Sequence, residues 1–295
     1  MPRYRVDFHG HCKGDPMDDL PHTVYQYIDR SVERGLNAIA ITWHRKQFDI
    51  PDAIDYARDR GLLLIPGIET EVNGVCHTLV LNAPPGEVGP TSTLEDLRRL
   101  KKYSQVLIIA PHPYYPLRNC LGRIIEQAPD CFDGVEWCHL HVPFIPSFIN
   151  PNRMAQRWAA KHDKPVVACS DAHCLDSIAC NYSEVEADAL TTEAIFAGIR
   201  AKRVWFQEKA FSLKLLWRAI HGVIVDPPWA SKWAVLGQGQ SEGKTAGTGS
   251  DVGVGANQSA AVAPSAPATA SAFSASASVS PSASPVSSAR GNTPS

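Results

Sequence analysis

Histidines and carboxylates recur along this chain at spacings that suit metal ligation. His9 and His11 are separated by one glycine. Asp171 and His173 are separated by one alanine. Side chains two residues apart in extended backbone project from the same face, so each pair can point toward a common ion. Imidazole and carboxylate donors without thiolates favour zinc, manganese or iron over a structural zinc–thiolate site.

The set of candidate ligands is larger than one ion requires. A lone histidine is usually a structural residue, but six of the eleven histidines fall at the ends of predicted strands, together with three carboxylates. The candidates are His9, His11, Asp15, His44, Glu69, His77, His112, Asp171 and His173. A cluster of two or three divalent ions, with Glu69 as a bridge, would use these donors without leaving a buried charge unpaired.

Alternating strands and helices are predicted to position these residues. Helix signals include a capping box at Thr23 and Gln26 before a helix that ends at Gly35, and a capping pair at Ser92 and Glu95. Pro51 is predicted in the first turn of a further helix, and residues 191–201 form the last one. Strands are predicted at residues 4–8, 38–42, 62–65, 76–81, 106–110, 134–137, 166–169 and 203–206.

Seven or eight such repeats predict an α/β fold in which parallel strands form a small closed barrel. Most of the candidate ligands then follow the carboxyl ends of strands, the edge at which barrel enzymes place their catalytic residues. His139 and His141 form a further histidine pair past the sixth strand, and the alternatives for them are pocket lining and a local structural role.

Composition narrows the class of protein. The hydrophobic content of 44% suits a globular core, and the net charge of −2 gives no broad basic surface for nucleic acid. The chain has neither an apolar leader nor a long apolar run, which predicts a cytoplasmic protein without a membrane span. The eight cysteines include no CxxC pair, so most are expected to be reduced and buried.

Three segments are predicted along the chain: a barrel over residues 1–210, an amphipathic helical extension over 211–236, and a disordered tail over 237–295. The tail is rich in Ala, Ser, Gly and Pro and cannot bury enough apolar surface to offset its ordering entropy. The extension carries an apolar stripe that favours packing against the barrel or a partner, with peripheral contact to a membrane as the alternative. The oligomeric state stays open.

Six short segments resemble the successive motifs of the polymerase and histidinol phosphatase (PHP) superfamily. They are DFHGH, AITWH, GIE, CHTLVL, APHP and CSDAH, at residues 7–11, 40–44, 67–69, 76–81, 110–113 and 169–173. They occur in the order of the family and span almost all of residues 4–206. The resemblance implies a distorted (β/α)7 barrel with two or three divalent metal ions and phosphoesterase activity.

The resemblance also implies a role for each candidate ligand. The first ion would be held by His9, His11, Asp171 and bridging Glu69. The second would be held by Glu69, His77 and His112. The third would be held by Asp15, His44 and His173. Within this set, Glu69, His112 and Asp171 would be the catalytic residues.

Two positions depart from the family pattern. Trp43 stands where the family usually has an aspartate before the histidine of its second motif. The loop from His11 to Asp15 is shorter than the common version of the family. This difference affects Asp15, one of the residues expected to hold the third ion.

The expected chemistry is attack of a metal-activated hydroxide on phosphorus, without a serine or cysteine nucleophile. Arg118 and Arg45 are the candidate groups for binding the phosphate through charge-assisted hydrogen bonds. The leading substrate class is a small phosphorylated metabolite or nucleotide. The alternatives are a 3′–5′ nuclease, a noncatalytic metal-binding module, and hydrolysis of a carbon–nitrogen bond.

Overall fold

Strands and helices alternate through the described part of the chain, as the periodicity predicts. The computed structural model describes residues 1–210. The strands are β1 (Arg3–Asp7), β2 (Ala38–Ile41), β3 (Leu63–Val72), β4 (Cys76–Leu81), β5 (Thr91–Ser92), β6 (Leu107–Ala110), β7 (Gly134–Trp137), β8 (Val166–Ala168), β9 (Ser183–Glu186) and β10 (Val204–Phe206). The helices are α1 (Val24–Glu33), α2 (Pro51–Arg58), α3 (Leu94–Leu100), α4 (Ile124–Gln127), α5 (Pro151–Lys161) and α6 (Thr192–Arg200). The predicted extension (211–236) and tail (237–295) lie outside the described residues and stay predictions.

These strands form one sheet in the order β10-β9-β1-β2-β3-β4-β6-β7-β8, with β5 paired to β3. The sheet curves into a nearly closed barrel, which confirms the predicted α/β barrel class. Its strands are not all parallel, however. Strand β4 runs antiparallel to both of its neighbours, and β9 is antiparallel to β1 and β10. The expectation that the strands are parallel throughout was therefore wrong.

A tight hairpin causes the reversal between β3 and β4. Asn73 and Gly74 both have positive φ, at 56° and 73°, which is the backbone of the Asn-Gly turns that join antiparallel strands. Strand β3 also continues to Val72, well beyond the predicted end at residue 65. Glu69 consequently lies inside a strand rather than after one.

The barrel approaches closure where the segment after β8 meets the segment after β1. Gly10 and Ala172 form a parallel bridge, and the Ser170 backbone N–H donates a hydrogen bond of 2.9 Å to Asp7 Oδ1. Nearby, Ser183 Oγ accepts from the Ala168 backbone N–H at 2.7 Å. The first and last predicted metal motifs, far apart in the chain, are therefore held side by side by backbone pairing.

Helix ends follow local side-chain chemistry. Thr23 and Gln26 form the predicted capping box of α1, and Pro51 occupies the first turn of α2. The capping pair of α3 is shifted by one residue from the prediction, to Thr93 and Asp96. Ser92 cannot be the N-cap of α3 because it belongs to β5 and pairs with Val72 of β3. Helix α5 and strand β9 were not predicted.

Apolar side chains fill both the barrel interior and the layer between sheet and helices. Phe8 and Leu79 are fully buried inside, and Phe132 packs edge-on against Trp158 of α5 outside. All eight cysteines are free, and six of them are buried, as expected. Within residues 1–210, no helix is both long and apolar enough to cross a bilayer.

Helix α6 packs so closely on β9 that one glycine is required there. A Cβ on Gly198 would lie 2.6 Å from the backbone oxygen of Glu186 and 2.8 Å from Val185 Cγ1. Although alanine is normally about 1 kcal/mol better than glycine in a helix, we expect Gly198→Ala to lower the free energy of unfolding by about 1–3 kcal/mol. Urea denaturation measures this. The control is Ala197→Gly at an exposed position of α6, and a stabilised Gly198→Ala variant would contradict the packing.

Candidate metal centre

Nearly all of the predicted ligands meet at one mouth of the barrel. His9 and His11 follow β1, and His112 follows β6 at the same edge. His77 belongs to this edge for a different reason than predicted. It lies near the start of β4, and because β4 is antiparallel to β3, its amino end lies beside the carboxyl end of β3, where His77 pairs with Glu71.

Glu69 is the centre of the cluster. Its side chain is only 1% exposed. Its Oε2 atom lies 3.2 Å from Nε2 of His9, 3.4 Å from Nε2 of His11 and 3.2 Å from Nε2 of His44. One carboxylate oxygen thus faces three imidazoles that come from two different strands.

The other oxygen faces two further rings. Glu69 Oε1 lies 2.6 Å from Nδ1 of His77 and 3.5 Å from Nε2 of His112. Glu69 Oε1 and Nε2 of His11 are both buried, and none of their close contacts has the geometry of a hydrogen bond. Buried polar atoms are normally paired. Nitrogen and oxygen atoms that lie this close together without hydrogen bonds are therefore suited to bind cations placed between them.

Four groups of residues bring ligand atoms within 4.8 Å of one another. One group is His9, His11 and Asp171, which are three of the four residues expected for the first ion. Two groups share Glu69, one with His9 and His112 and the other with His44 and His77. The fourth consists of His11, Asp18, His44 and His173. The residues expected for the second ion are thus divided between two groups, and Asp18 stands where Asp15 was expected.

Asp15 lies behind the imidazoles rather than among the converging donor atoms. Its Oδ2 atom accepts from Nδ1 of His11 at 2.8 Å, and from Nδ1 and the backbone N–H of His44 at 3.0 Å each. Its Oδ1 atom accepts from the Met17 backbone N–H at 2.9 Å. With its carboxylate saturated in this way, Asp15 orients two candidate ligands.

Asp18 supplies the carboxylate that faces the cavity. Its Oδ2 atom lies 3.0 Å from Nε2 of His173 and 3.6 Å from Nδ1 of His44. The bond to His173 holds the pKa of Asp18 below its usual value. Sequence reasoning missed this residue, because the MDDL segment gives no spacing signal that separates it from Asp15.

Charge in the cluster is strongly coupled. Burial opposes ionisation of Glu69, yet the neighbouring His9 imidazole holds its pKa well below the usual range. Burial likewise opposes protonation of His11, but its contacts with Asp15, Asp171 and Glu69 raise the pKa of that ring to about 10. The site therefore stabilises positive charge next to its buried carboxylates, as a cation site must.

Trp43, the departure from the family pattern, has a structural contact of its own. The indole is 2% exposed and its Nε1–H donates to the Cys12 backbone oxygen at 3.1 Å. Its ring also packs against Phe48 at 5.0 Å. The side chain thus fixes the loop after His11 and lies in the core.

A cavity of about 460 Å3 opens over the cluster. Beyond the candidate ligands, its walls include Arg45, Glu71, Val75, Arg118 and Asn119. Both predicted phosphate-binding arginines therefore reach the cavity. His139 and His141 are not among its lining residues.

The two arginines differ in their surroundings. Arg45 has a positive φ of 58°, and its guanidinium lies 2.7 Å from the buried carboxylate of Glu71. Arg118 is exposed, and no ion pair joins it to another of the residues 1–210. Arg118 is therefore the more available cation for a substrate anion.

Parts of this sequence are similar to known proteins. A model of the PHP-associated family matches residues 150–204. The PolC-type DNA polymerase III of Staphylococcus saprophyticus is 37% identical over 65 residues, which are 22% of this chain and 4% of the polymerase. The same polymerase of Streptococcus pyogenes serotype M2 is 38% identical over 68 residues, which are 23% of this chain and 5% of the polymerase. The matches span only a small part of these polymerases.

Solved structures share the fold. A two-domain protein of Bacteroides vulgatus containing a predicted PHP-like metal-dependent phosphoesterase superposes with a TM-score of 0.53 and 18% identity, over 70% of this chain and 65% of that one. PsfC of Pseudomonas syringae superposes with a TM-score of 0.53 and 16% identity, over 75% of this chain and 97% of that one. At these identities the likeness establishes a common fold.

Asp18 and Asp15 are expected to respond differently to loss of charge. We expect Asp18→Asn to reduce the metal content of the protein while leaving the melting temperature of the metal-free protein nearly unchanged, because Asp18 lies at the rim. Asp15→Asn should instead lower the stability of the metal-free protein by about 1–3 kcal/mol, since it disrupts several buried hydrogen bonds. Elemental analysis and thermal unfolding measure the two effects. Loss of metal from Asp15→Asn alone, with Asp18→Asn unaffected, would restore Asp15 as the ligand.

Proposed function

We propose that this chain is a PHP-like metal-dependent phosphoesterase and that it hydrolyses phosphate esters of a small metabolite or nucleotide. The match of residues 150–204 to the PHP-associated family supports the proposal. The observation that carries the proposal is the convergence of imidazoles on buried Glu69, with donor atoms that lack hydrogen bonds. Such a donor set suits cations and has no evident use in a purely structural barrel.

Two or three divalent ions fit the donor groups. We assign one position to His9, His11 and Asp171. We assign a second to Glu69 Oε1 together with His77 and His112, the two rings that face this oxygen. A third position would use Asp18, His44 and His173. The absence of thiolates among these donors favours zinc, manganese or iron. When bound, such ions activate water near neutral pH and polarise phosphoryl oxygens.

The protein's own residues supply position and charge. Glu69 contacts at least one histidine of each of the four donor groups, so it fixes the separation of the neighbouring positions. His112 and Asp171 have positive φ, at 29° and 49°, and such strained backbone in a nonglycine residue is typical of functional sites. We therefore retain Glu69, His112 and Asp171 as the residues closest to the reaction.

Substrate anions would enter between the arginines. Arg118 can donate charge-assisted hydrogen bonds to a phosphate group without first breaking an ion pair. Arg45 is held against Glu71 and has less positive charge to offer the substrate. Because the cavity of about 460 Å3 is of the size of small-molecule sites, it supports a small ester over a long polymer.

A phosphate-release assay tests the proposal directly. Metal-free protein supplemented with Mn²⁺ or Zn²⁺ is expected to release phosphate from a mononucleotide or sugar phosphate, and chelation should remove the activity. Loss of His9 or Glu69, in His9→Ala or Glu69→Gln, should nearly abolish turnover because both lie at the centre of the donor set. The control His162→Ala changes a histidine at the end of α5 and should retain activity.

Comparing a mononucleotide with an oligonucleotide under the same metal separates the leading function from a 3′–5′ nuclease. Faster release of nucleotides from the oligonucleotide would favour the nuclease. Bound metal without hydrolysis of any ester in a broad panel would favour a noncatalytic module.

Arg118 is expected to act in binding more than in the chemical step. We expect Arg118→Ala to raise KM on the order of tenfold, because a charge-assisted hydrogen bond contributes about 1.5–3 kcal/mol, with a smaller change in kcat. Steady-state kinetics measure both constants. The control is Arg123→Ala, an exposed arginine on the same loop that does not line the cavity. An unchanged KM in Arg118→Ala would discredit this role.

A further inference from the structure

Glu136 is a buried carboxylate that the proposed reaction leaves without a role. It lies in β7 with no exposed surface. Its Oε1 atom lies 3.1 Å from Nδ1 of His9, and its Oε2 atom accepts from the backbone N–H of His112 at 2.7 Å. One side chain thus connects two candidate ligands that come from different strands.

The contact with His9 determines which ring nitrogen is free to bind an ion. A carboxylate beside Nδ1 favours the tautomer that carries its proton on Nδ1, because this N–H can donate a hydrogen bond to the carboxylate. Nε2 of His9 is then left with its lone pair, 3.2 Å from Glu69 Oε2 and 3.2 Å from Asp171 Oδ1. Glu136 therefore directs the donor atom of His9 toward the cluster.

The contact with His112 holds a strained backbone. His112 has a φ of 29°, a conformation that residues with side chains rarely adopt. The hydrogen bond from its N–H to Glu136 fixes this conformation. The Nδ1 atom of the ring lies 3.3 Å from Cys120 Sγ, and Nε2 points toward Glu69 Oε1 at 3.5 Å.

We propose that Glu136 is a positioning residue that links two neighbouring ion positions. Its one carboxylate sets the tautomer of His9 and holds the backbone conformation of His112. The inference rests on the metal centre proposed above. It assigns Glu136 a part in metal affinity, without contact to substrate. Outer carboxylates that orient ligating histidines commonly change metal affinity by about 10- to 100-fold when they are removed.

Glutamine at position 136 would have the same shape but the wrong chemistry. Glutamate accepts with both oxygens, whereas an amide has one acceptor and one NH2 donor. If the NH2 faces His9, it favours the ring form with the proton on Nε2, the atom needed by the ion. If it faces His112, two donors oppose each other. Glu136→Gln therefore disturbs one of the two contacts in either orientation.

The same region of the chain offers a matched control. Asp133, immediately before β7, is a buried carboxylate at the opposite end of that strand. It accepts from the Lys101 ammonium group and, at 2.9 Å, from the Ile108 backbone N–H, and it lies 3.4 Å from the Arg200 guanidinium. Asp133→Asn thus removes a buried charge of comparable structural weight without touching a candidate ligand.

The experiment compares the wild type, Glu136→Gln and Asp133→Asn in the full chain, each freed of metal and titrated with Zn²⁺ against a competing chelator. We expect Glu136→Gln to bind about 10- to 100-fold more weakly and to change the visible absorption spectrum of the Co²⁺-loaded protein. Asp133→Asn should lower the melting temperature but keep wild-type zinc affinity and the wild-type cobalt spectrum. Glu136→Asp, which keeps the charge but is too short to span both contacts, should show the same weakening and serves if Glu136→Gln fails to fold.

Wild-type zinc affinity and cobalt spectrum in folded Glu136→Gln would overturn the inference, as would equal weakening in Asp133→Asn. These readouts do not depend on turnover. If the wild type binds ions but hydrolyses no ester, the proposed function fails while the role of Glu136 is still decided by the titration.

Discussion

The buried carboxylate of Glu69 is the constraint on which the rest of the mouth depends. A charge that is 1% exposed is costly unless positive charge surrounds it. Five imidazoles, which lie in or after four different strands, contact its two oxygens, and the buried ligand atoms that remain unpaired there create the need for cations. The identity, direction and spacing of the neighbouring residues follow from this requirement, because each must present nitrogen or oxygen toward the same small volume.

Two backbone devices bring the donors to Glu69. The tight turn at Asn73 and Gly74 reverses the chain, so that the start of β4 carries His77 back to the mouth. The bridge between Gly10 and Ala172 joins the ends of the barrel, so that the first and last motifs become neighbours. Positive φ angles are found at Arg45, His112 and Asp171, all at this mouth. The surrounding structure thus accepts backbone strain where the side chains must be aimed.

A second layer of polar residues holds the donors in place. Asp15 ties together the rings of His11 and His44, and Glu136 ties His9 to the backbone of His112. Both are buried, and both use their oxygens on the side of the ligands that faces away from the cavity. Precise direction of the imidazoles therefore depends on residues that lie outside the donor groups.

Local patterns in the sequence determined most of the helices and strands and the chemical type of the site. The capping box of α1, the proline of α2 and the paired spacing of His9 with His11 act over a few residues, so they can be recognised without a fold. The Asn-Gly turn at residues 73 and 74 is an equally local signal, and it predicts that β4 runs antiparallel to β3. Only the tertiary structure distinguished Asp18 from Asp15 and revealed Glu136, because these roles depend on how strands distant in sequence align across the barrel. A carboxylate's neighbours in the chain do not specify which ring it will face.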